Sequence, residues 1–533
     1  MKTLVVGIDA ACSRVLDPLI EAGAVPRIEK LLETGASAPL ESQIPPWTAS
    51  AWPSIYTGMN PGTHGVFDFL TFSGYDWDVI NATHVRAPAI WEILDTHGLS
   101  SVVLNVPVTD PPAVIDGAIV PGYLAPEAPT GHPEGVVEEL RAELGEYRIY
   151  PPHGHDADRG TVISNYRDLV DSRGRAFRYL FRQLGPDFGF LEFQATDSVV
   201  HELGGDLDAV ETIYRAVDRE IDAVLESCDP DTVFLVSDHG IGPYEAYSFH
   251  VNEFLKNRGY VETVSGRAGG MPSWGTIHER ARVADSKSAR VGRALSRATL
   301  VGARAGLTSQ RMYRILDRVG LAETVAQVVP SEAIRSATEQ VDFERSVAYM
   351  RSRTELGVRI NLAGRDPEGR VSPDEYETVR KELIEALSDV RTPDGDRVFE
   401  AVLPREAVFS GPYLDDSVDI VTIPHEFEQF LSARLGEEFG EPEEPWNHKR
   451  EGIIAASGVG IDTEASLSGA TLFDVAPTVL ASLGVPHDDR MDGAVLPVAR
   501  SVGTTRYSGG ETPRPTESAT VEERLSQLGY LDR

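Results

Sequence analysis

The segment TLVVGID (residues 3–9) decides the fold expected for this chain, because it is a short, continuous apolar run that ends in an aspartate. Five further apolar runs follow along the sequence: SVVLNVP (101–107), FGFLEFQATD (188–197), DTVFLVSD (231–238), DIVTIP (419–424) and GIIAAS (452–457). Runs of this kind are typical of strands buried on both faces. Amphipathic segments such as 167–184 and 206–228 lie between them. The alternation predicts an α/β fold with a doubly wound, mostly parallel sheet sandwiched by helices.

The composition is that of a globular protein with an acidic surface. Of the 533 residues, 41% are hydrophobic and 25% are charged, and the formal net charge is −34. Such a surface repels polyanions, which excludes general nucleic-acid binding. Only six of the 49 basic residues are lysines. Acid-rich, lysine-poor chains suit a salty cytoplasm, so we expect a halophilic, archaeal-like source, although a GC-rich genome also favours arginine over lysine.

Cysteine content and hydropathy point to the cytoplasm. Cys12 and Cys228 are the only cysteines, which is too few for a disulfide framework. No apolar stretch reaches the ~18–20 residues of a membrane span, and the opening run is too short for a signal peptide. We therefore expect a cytoplasmic protein with no transmembrane segment. The sequence leaves the oligomeric state open.

The chain divides into four parts by composition. Between residues 261 and 342 strand-like runs become rare, and from 280 to 318 ten basic residues are opposed by only two acidic ones. The basic segment 280–318 is either an anion-facing arm or a solvated helical face that pairs with the acidic body. We predict the following parts: a first part of the α/β core (1–260), an inserted basic helical cap (261–345), a second part of the core (346–500), and a flexible linker with a C-terminal helix (501–533).

Aspartates and histidines at the ends of the predicted strands form a candidate metal site. Asp9, Asp197 and Asp238 each end a strand-like run, and ligands of open α/β sheets bind beyond the carboxyl ends of the strands. Taken singly, an aspartate after a strand is more often a helix N-cap or turn residue than a ligand. His201 lies four residues after Asp197, and His239 directly follows Asp238. Together with the later His448, these residues suit Zn²⁺, and also Mn²⁺ or Fe.

Thr48 is the candidate nucleophile. It follows two prolines and a tryptophan and opens the helix-like stretch TASAWPSIYTG (48–58). Near a helix N-terminus, backbone N–H groups and the helix dipole favour an oxyanion or a phosphate. The same position is equally typical of an N-cap threonine, so the residue alone does not decide between the two roles.

The order of these motifs resembles the type I phosphodiesterase/nucleotide pyrophosphatase family of the alkaline phosphatase superfamily. The resemblance is carried by TASAWPSIYTGMNPGTHGVFDF (48–69), preceded by LVVGID and followed by DSVVH, VSDHG and a late histidine before a Gly-Ile strand. It covers most of residues 1–260 and about 348–497. It implies an alkaline phosphatase-like fold and a small phosphate-ester substrate.

The resemblance also implies two divalent metal ions, expected to be Zn²⁺ with Mn²⁺ as the alternative. The ligands it assigns are Asp197, His201 and His448 for one ion, and Asp9, Asp238, His239 and the Thr48 oxygen for the other. A metal ion can make a threonine hydroxyl nucleophilic, and two ions can stabilise the attacking and leaving oxygens. The implied reaction is hydrolysis of a phosphodiester or pyrophosphate bond through a covalent phospho-threonine at Thr48.

Some residues depart from the family or have simpler interpretations. Nucleotide pyrophosphatases have an asparagine shortly after the threonine segment, whereas this chain has Asp68, which would repel a phosphate unless protonated or metal-bound. No C/S-x-P-x-R motif of sulfatases is present. We interpret His64 as a structural turn residue, His153 and His155 as a surface loop pair, and His250 as a core or substrate-adjacent residue.

Two alternatives to a hydrolase remain at this point. A transferase would pass a phospho-linked head group from the threonine to a lipid or glycan acceptor, and the basic segment 280–318 would fit an anionic acceptor. A pseudoenzyme would retain the metals only for folding or for binding. Because all seven implied ligand residues are present, we expect an enzyme.

Overall fold

The computed structural model describes residues 1–152, 157–265, 339–442 and 444–507. The predicted basic segment 280–318, most of the predicted cap, His153, His155 and the predicted C-terminal helix lie outside these residues, so those interpretations stay predictions. The predicted division of the chain into four parts likewise stays a prediction. Among the described helices, none combines the length and the apolar character needed to cross a bilayer.

The strands have the following bounds: β1 Thr3–Ile8, β2 Ala36–Glu41, β3 Leu70–Ser73, β4 Asp76–Val79, β5 Ser101–Leu104, β6 Gly117–Val120, β7 Phe188–Phe193, β8 Thr232–Val236, β9 Gly240–Pro243, β10 Ser248–His250, β11 Thr263–Ser265, β12 Glu339–Val341, β13 Ala348–Tyr349, β14 Gly357–Ile360, β15 Phe399–Pro404, β16 Ile420–Pro424, β17 Phe430–Ser432, β18 Phe439–Gly440, β19 Trp446–Lys449, β20 Glu451–Gly458, β21 His487–Asp488 and β22 Thr504–Thr505.

The α-helices have these bounds: α1 Ser13–Glu21, α2 Pro26–Thr34, α3 Thr48–Thr57, α4 Pro61–His64, α5 Ile90–Thr96, α6 Val136–Leu144, α7 Arg159–Leu184, α8 Ala195–Leu203, α9 Leu207–Cys228, α10 Val251–Asn257, α11 Tyr376–Ser388 and α12 Val475–Ser482. Short 3₁₀ turns occupy Ala82–His84, Arg353–Glu355, Arg405–Ala407, Leu414–Asp416, His425–Phe427 and Leu472–Asp474.

The central sheet has seven strands in the order β2-β20-β8-β1-β7-β5-β6. Strands β8, β1, β7, β5 and β6 pair in parallel. Strand β20 pairs antiparallel with both β2 and β8, so it alone runs against the other six. The predicted mostly parallel sheet is confirmed, and the run at 452–457 is its antiparallel member.

Helices cover both faces of this sheet, which confirms the doubly wound arrangement. Alternate residues of β1 point to opposite sides: Leu4 and Val6 pack in a cluster with residues of α1, α2, α7 and α9. Val5 packs in a second cluster with residues of α3, α5 and α12. All six residues of β1 are buried, because a strand covered on both faces has no solvent-exposed side.

The run at residues 419–424 forms a strand but does not join the central sheet. It is β16 in a separate four-stranded sheet of order β13-β14-β16-β15, where its pairings are antiparallel. Val358, Val421 and Leu383 belong to the core of this smaller sheet. Because β16 is buried by its own layer, its apolar run looks the same in sequence as a central strand.

The ends of the predicted insertion lie next to each other. Strands β11 and β12 pair antiparallel, with Thr263 opposite Val341. The two described strands on either side of residues 266–338 are therefore adjacent.

Candidate active site

Three carboxylates meet where the central strands end. Asp9 directly follows β1, and Asp238 lies two residues after β8, which is paired with β1. Asp197 lies in the first turn of α8, which starts just after β7 on the other side of β1. All three side chains are buried. The sequence therefore predicted the convergence of these aspartates correctly, because parallel strands place their carboxyl ends at one edge.

Two chain features bring the histidines to the same place. Asp197 and His201 are four residues apart on α8 and share one helix face. Strand β19 pairs antiparallel with β9, so His448 lies opposite Ile241, close to the segment that carries His239. The rings of His239 and His448 stack with centroids 3.7 Å apart. Residues more than 200 positions apart in the chain thus become neighbours.

Thr48 is the first residue of α3 and does not cap it, which corrects the N-cap interpretation. Trp47 occupies the N-cap position in an extended conformation, and no side-chain hydrogen bond caps the helix. The Thr48 side chain is buried, and its Oγ1 lies 3.2 Å from Nε2 of His239. The hydroxyl therefore faces the histidine and aspartate cluster rather than the backbone of its own helix.

The helix that carries Thr48 is held by the sheet below it. Trp52 packs against Gly7 of β1, where an added Cβ would come within 2.5 Å of the indole ring. The indole Nε1 donates to Asp9 Oδ2 at 3.2 Å. A side chain at position 7 would push α3 away from the strand, so this glycine keeps Thr48 and Asp9 close together.

A buried chain of hydrogen bonds fixes the start of α3. Val66 N–H donates to His64 Nδ1 at 3.2 Å, so His64 carries its proton on Nε2, which lies 2.9 Å from Ser54 Oγ. Ser54 in turn donates to Gln43, whose amide donates to Ser50. Burial lowers the pKa of His64 to about 3, so the chain of donors keeps its direction at ordinary pH. His64 is thus the structural residue that the sequence indicated.

The first candidate ligand group contains Asp197, His201 and His448. Asp197 Oδ1 lies 3.2 Å from His201 Nε2 and 3.5 Å from His448 Nε2. The two Nε2 atoms are 3.0 Å apart. The three atoms therefore form a small triangle with one oxygen and two nitrogens at its corners.

The second candidate group surrounds Nε2 of His239. Asp9 Oδ1 lies 3.4 Å from this nitrogen, and Asp238 Oδ2 lies 3.2 Å from it. With Thr48 Oγ1 at 3.2 Å, these are the four residues that the family resemblance implied. Ligand atoms of Asp9, Asp197 and His239 also lie within 4.8 Å of one another, so Asp197 stands between the two groups.

Both groups fit a small divalent cation. Ligands about 2.0–2.1 Å from a tetrahedral Zn²⁺ lie about 3.3 Å from one another. This value matches the 3.0–3.5 Å spacings of the first group and the 3.2–3.4 Å distances from His239 Nε2 in the second. In addition, Asp9 Oδ1, Asp197 Oδ1 and Asp238 Oδ2 are buried without a hydrogen-bond partner. These are the same oxygens that face the Nε2 atoms. Buried oxygens without donors are costly unless a cation binds them.

The imidazole rings are oriented for the same purpose. His239 Nδ1 lies 3.0 Å from the Gly240 carbonyl oxygen, and His448 Nδ1 lies 2.9 Å from the Pro46 carbonyl oxygen. A carbonyl can only accept, so each Nδ1 carries the proton and each Nε2 presents its lone pair to the cluster. Neutral histidines in this tautomer are the form that binds metal ions.

Burial and neighbouring charges shift the pKa values of several side chains in the cluster. Burial and the neighbouring carboxylate of Asp238 raise the pKa of Asp9 well above its usual value. Burial, with a smaller contribution from Asp197, raises the pKa of Asp238 to about 6. Burial lowers the pKa of His201, but the opposing effects of Asp197 and Glu444 are larger and raise it to about 10. The pKa shifts of Asp9, Asp238 and His201 all favour their protonated forms, so a cation that binds there competes with protons.

Sequence reasoning missed a fourth buried carboxylate, Glu192, within β7. Its Oε2 accepts from Asn105 Nδ2 at 2.7 Å, and its Oε1 is buried without a hydrogen-bond partner. Burial and Asp238 raise the pKa of Glu192 well above its usual value. The signal was present as a single acidic residue inside the apolar run FGFLEF (188–193).

Asp68, which stands near the position of the family asparagine, is fully buried. Its Oδ1 accepts from the hydroxyl of Thr354 and from the Phe69 N–H, the latter at 2.6 Å, while Oδ2 has no hydrogen-bond partner. Burial, with a contribution from Glu355, raises the pKa of Asp68 to about 7.

His250 lies in β10, where its Nδ1 is 2.5 Å from the Glu437 carbonyl oxygen, and it belongs to neither ligand group.

We expect Asp68→Asn to stabilise the protein increasingly as pH rises. The raised pKa of Asp68 means that its stabilising contribution is complete below about pH 4 and is lost as pH rises through about 7. Asparagine mimics the protonated acid, so the difference in free energy of unfolding should grow between pH 4 and 7, to at most about 4 kcal/mol, and then level off. Denaturant unfolding across pH 5–9 measures it. Asp206→Asn is the control, because the pKa of Asp206 is lowered to about 2. A constant difference for Asp68→Asn would contradict the expectation.

Comparison with known proteins agrees with the fold and shows the family. The chain matches the family model for type I phosphodiesterase/nucleotide pyrophosphatase over residues 3–453, and it belongs to this family. Phosphonoacetate hydrolase from Sinorhizobium meliloti 1021, solved with phosphonoformate, is 16% identical with a TM-score of 0.53, and the match covers 89% of this chain and 94% of that chain.

A second similar structure is murine ectonucleotide pyrophosphatase/phosphodiesterase 5, solved as an inactive variant with AMP. It is 11% identical with a TM-score of 0.50, and the match covers 93% of this chain and 97% of that chain. No curated protein sequence matches this chain significantly. Family and fold together make the chain a phosphoric ester hydrolase of the alkaline phosphatase superfamily, whose members use two divalent metal ions.

Proposed function

We propose that this chain hydrolyses phosphodiester or pyrophosphate bonds of small phosphate esters, with Thr48 as the nucleophile. One observation carries the proposal: Thr48 Oγ1 and the partnerless oxygens of Asp9 and Asp238 all lie 3.2–3.4 Å from the same nitrogen, His239 Nε2. The hydroxyl does not cap its helix and contacts His239 of this group instead, which suits a nucleophile.

The position of Thr48 also suits the charge that develops on the phosphoryl group. In α3, the N–H groups of Ser50 and Ala51 bond to the Trp47 carbonyl, so the N–H groups before them point out of the helix start. The positive end of the helix dipole favours an anion there. In the proposed reaction, Thr48 Oγ1 bonds to phosphorus as the bond from phosphorus to the leaving oxygen breaks. Water then attacks phosphorus and restores the hydroxyl.

Seven residues would hold the two metal ions. Asp197, His201 and His448 would bind one ion, and Asp9, Asp238, His239 and Thr48 would bind the other. When bound, the ions supply Lewis-acid stabilisation of the attacking and leaving oxygens. We propose Zn²⁺, because nitrogen and carboxylate ligands at these spacings suit a tetrahedral ion, and Mn²⁺ is the alternative. The acidic, lysine-poor composition supports a salt-rich cytoplasm as the working environment.

A substrate panel on metal-analysed protein in molar KCl tests the proposal. The panel contains bis-p-nitrophenyl phosphate, p-nitrophenyl phosphate, nucleoside triphosphates and phosphonoacetate, the last because one similar structure is a phosphonoacetate hydrolase. We expect the diester and pyrophosphate substrates to have the highest kcat/KM. We also expect mass spectrometry of quenched reactions to find the phosphoryl adduct on Thr48. Faster turnover of the monoester or the phosphonate would contradict the substrate class.

The same assay distinguishes hydrolysis from group transfer. With excess glycerol or a lipid alcohol as acceptor, a hydrolase passes the phosphoryl group to water, whereas a transferase forms the acceptor ester. Formation of the acceptor ester as the main product would favour the transferase and contradict the proposed hydrolysis.

A further inference from the structure

His201 differs from the other two histidines of the cluster in what orients its ring. His239 and His448 face backbone carbonyl oxygens through Nδ1. Nδ1 of His201 instead faces a side chain, Glu444, whose Oε2 lies 3.3 Å away. The His201 side chain is also the most exposed of the three, at 26% against 6% for His448 and 0% for His239. Its orientation therefore depends on a residue that can be changed without altering the backbone.

Glu444 is itself fixed from two sides. Arg353 Nη2 lies 2.7 Å from its Oε1, and Asn447 Nδ2 donates to its Oε2 at 2.8 Å. Asn447 Oδ1 accepts from the His448 N–H at 2.7 Å, which links Glu444 to the strand that carries the other histidine of the same ligand group. The carboxylate thus has a defined position relative to both His201 and His448.

We propose that Glu444 is a positioning residue that sets the tautomer and orientation of His201. The carboxylate accepts the Nδ1 proton, so the lone pair of Nε2 is directed at the space between Asp197 Oδ1 and His448 Nε2. Carboxylate partners of this kind raise the affinity of a histidine for a metal ion. The inference rests on the proposed function, because it takes His201 to be a metal ligand.

The expected effect is local to one of the two ions. Arg353 compensates the charge of Glu444, so the pair contributes orientation more than net charge to the site. Within the described part of the chain, Glu444 makes no polar contact with His239, Asp9 or Asp238. Loss of Glu444 should therefore lower the affinity for the ion held by Asp197, His201 and His448 and leave the affinity for the other ion unchanged.

Zn²⁺ titration of metal-free protein against a competing chelator tests this inference. We expect Glu444→Ala to lower the affinity for one of the two bound ions by about 10- to 100-fold. Glu444→Gln should weaken it less, because the amide oxygen can still accept the Nδ1 proton. In a His448→Ala background, which lacks the same ion, Glu444→Ala should have no further effect on the ion that remains.

Glu220→Gln is the matched control, since Glu220 is also a partly buried glutamate paired with an arginine, Arg178, between α9 and α7. The Glu220→Gln variant should bind both ions with the wild-type affinity. Melting curves of the metal-free variants show whether each is folded. Unchanged Zn²⁺ affinity in folded Glu444→Ala would overturn the inference while leaving the proposed function intact. Absence of tight binding of both Zn²⁺ and Mn²⁺ by the wild-type chain would overturn the inference and the proposed function together.

Discussion

Replacement of Thr48 by alanine is expected to lower kcat by at least about 10³-fold on every substrate that the wild type hydrolyses. The hydroxyl oxygen is the only atom at this position that can bond to phosphorus, and Oγ1 faces His239 at 3.2 Å. The variant should retain its fold, because Thr48 does not cap α3 and Trp47 fills the N-cap position. It should also retain at least the ion assigned to Asp197, His201 and His448.

Two further variants make this measurement specific. Thr48→Ser keeps a hydroxyl and should retain part of kcat. Thr57→Ala removes a buried hydroxyl from the other end of α3, where Thr57 Oγ1 donates to the Pro53 carbonyl, and should retain kcat near the wild-type value. Steady-state kinetics with metal content measured on the same samples compares all three. Full activity in metal-loaded Thr48→Ala would exclude Thr48 as the nucleophile.

Removal of the metal ions is expected to be the most destabilising single treatment of this protein. Three buried carboxylate oxygens, of Asp9, Asp197 and Asp238, have no hydrogen-bond partner, and Glu192 adds a fourth buried acid nearby. Each ion at about 1,000 times its Kd contributes about 4 kcal/mol, so the loss of two ions costs about 8 kcal/mol. Unfolding has an entropy of about 2.1 cal/mol/K per residue, so for a chain of 533 residues we expect Tm to fall by about 7 °C on chelation and to recover when Zn²⁺ is added in excess.

The loss on chelation should grow as pH rises. In the metal-free chain, the raised pKa of Asp9 and of Asp238, the latter about 6, gives stability that is complete below about pH 4 and is lost as pH rises through those values. The pKa of His201, about 10, has the same sign, with a contribution that declines from about pH 6.5 through 10. Metal ions compete with these protons, so their stabilisation increases with pH.

Thermal melts in molar KCl from pH 5 to 9, with and without chelator, measure both effects. The interval in Tm between loaded and chelated protein should widen across this range. Asp206→Asn serves again as a control, because Asp206 pairs with Arg159 and is none of the seven candidate ligands, so its loss should shift both curves equally. An interval that narrows with rising pH, or no effect of chelation, would contradict the assignment of these residues as metal ligands.

Much of the site follows from local sequence signals. Asp9, Asp197 and Asp238 were predictable because each terminates a buried run, and parallel strands bring their ends to one edge. His201 and His239 were predictable from their short spacing to those aspartates. The helix-like stretch 48–58 pointed to Thr48 but did not decide between a cap and a nucleophile. A shift of one residue in the start of a helix changes which side chain occupies the N-cap, and sequence does not fix helix ends that closely.

Other features depend on contacts that no local pattern reports. The run at 419–424 reads like a central strand but forms β16 of a second sheet, because burial by either layer produces the same apolar pattern. Glu444 lies in an irregular segment, and its contact with His201 exists only because β9 and β19 pair and bring residues 201 and 444 together. Arg353, which contacts the same glutamate, lies 91 residues before it in the chain.

The sequence by itself determined the α/β class, the acidic composition and six candidate ligand residues, because burial periodicity and residue chemistry are local properties. The family resemblance added the Thr48 oxygen to this set. The tertiary structure decided the distances: which oxygens lack a donor, which ring nitrogen carries the proton, and which carboxylate supports His201. These depend on strand pairing and helix packing between segments far apart in the chain, such as Thr48 with His239 and His201 with His448. Spacing in sequence does not encode an ångström-scale separation across a sheet, and the fit to a metal ion rests on that separation.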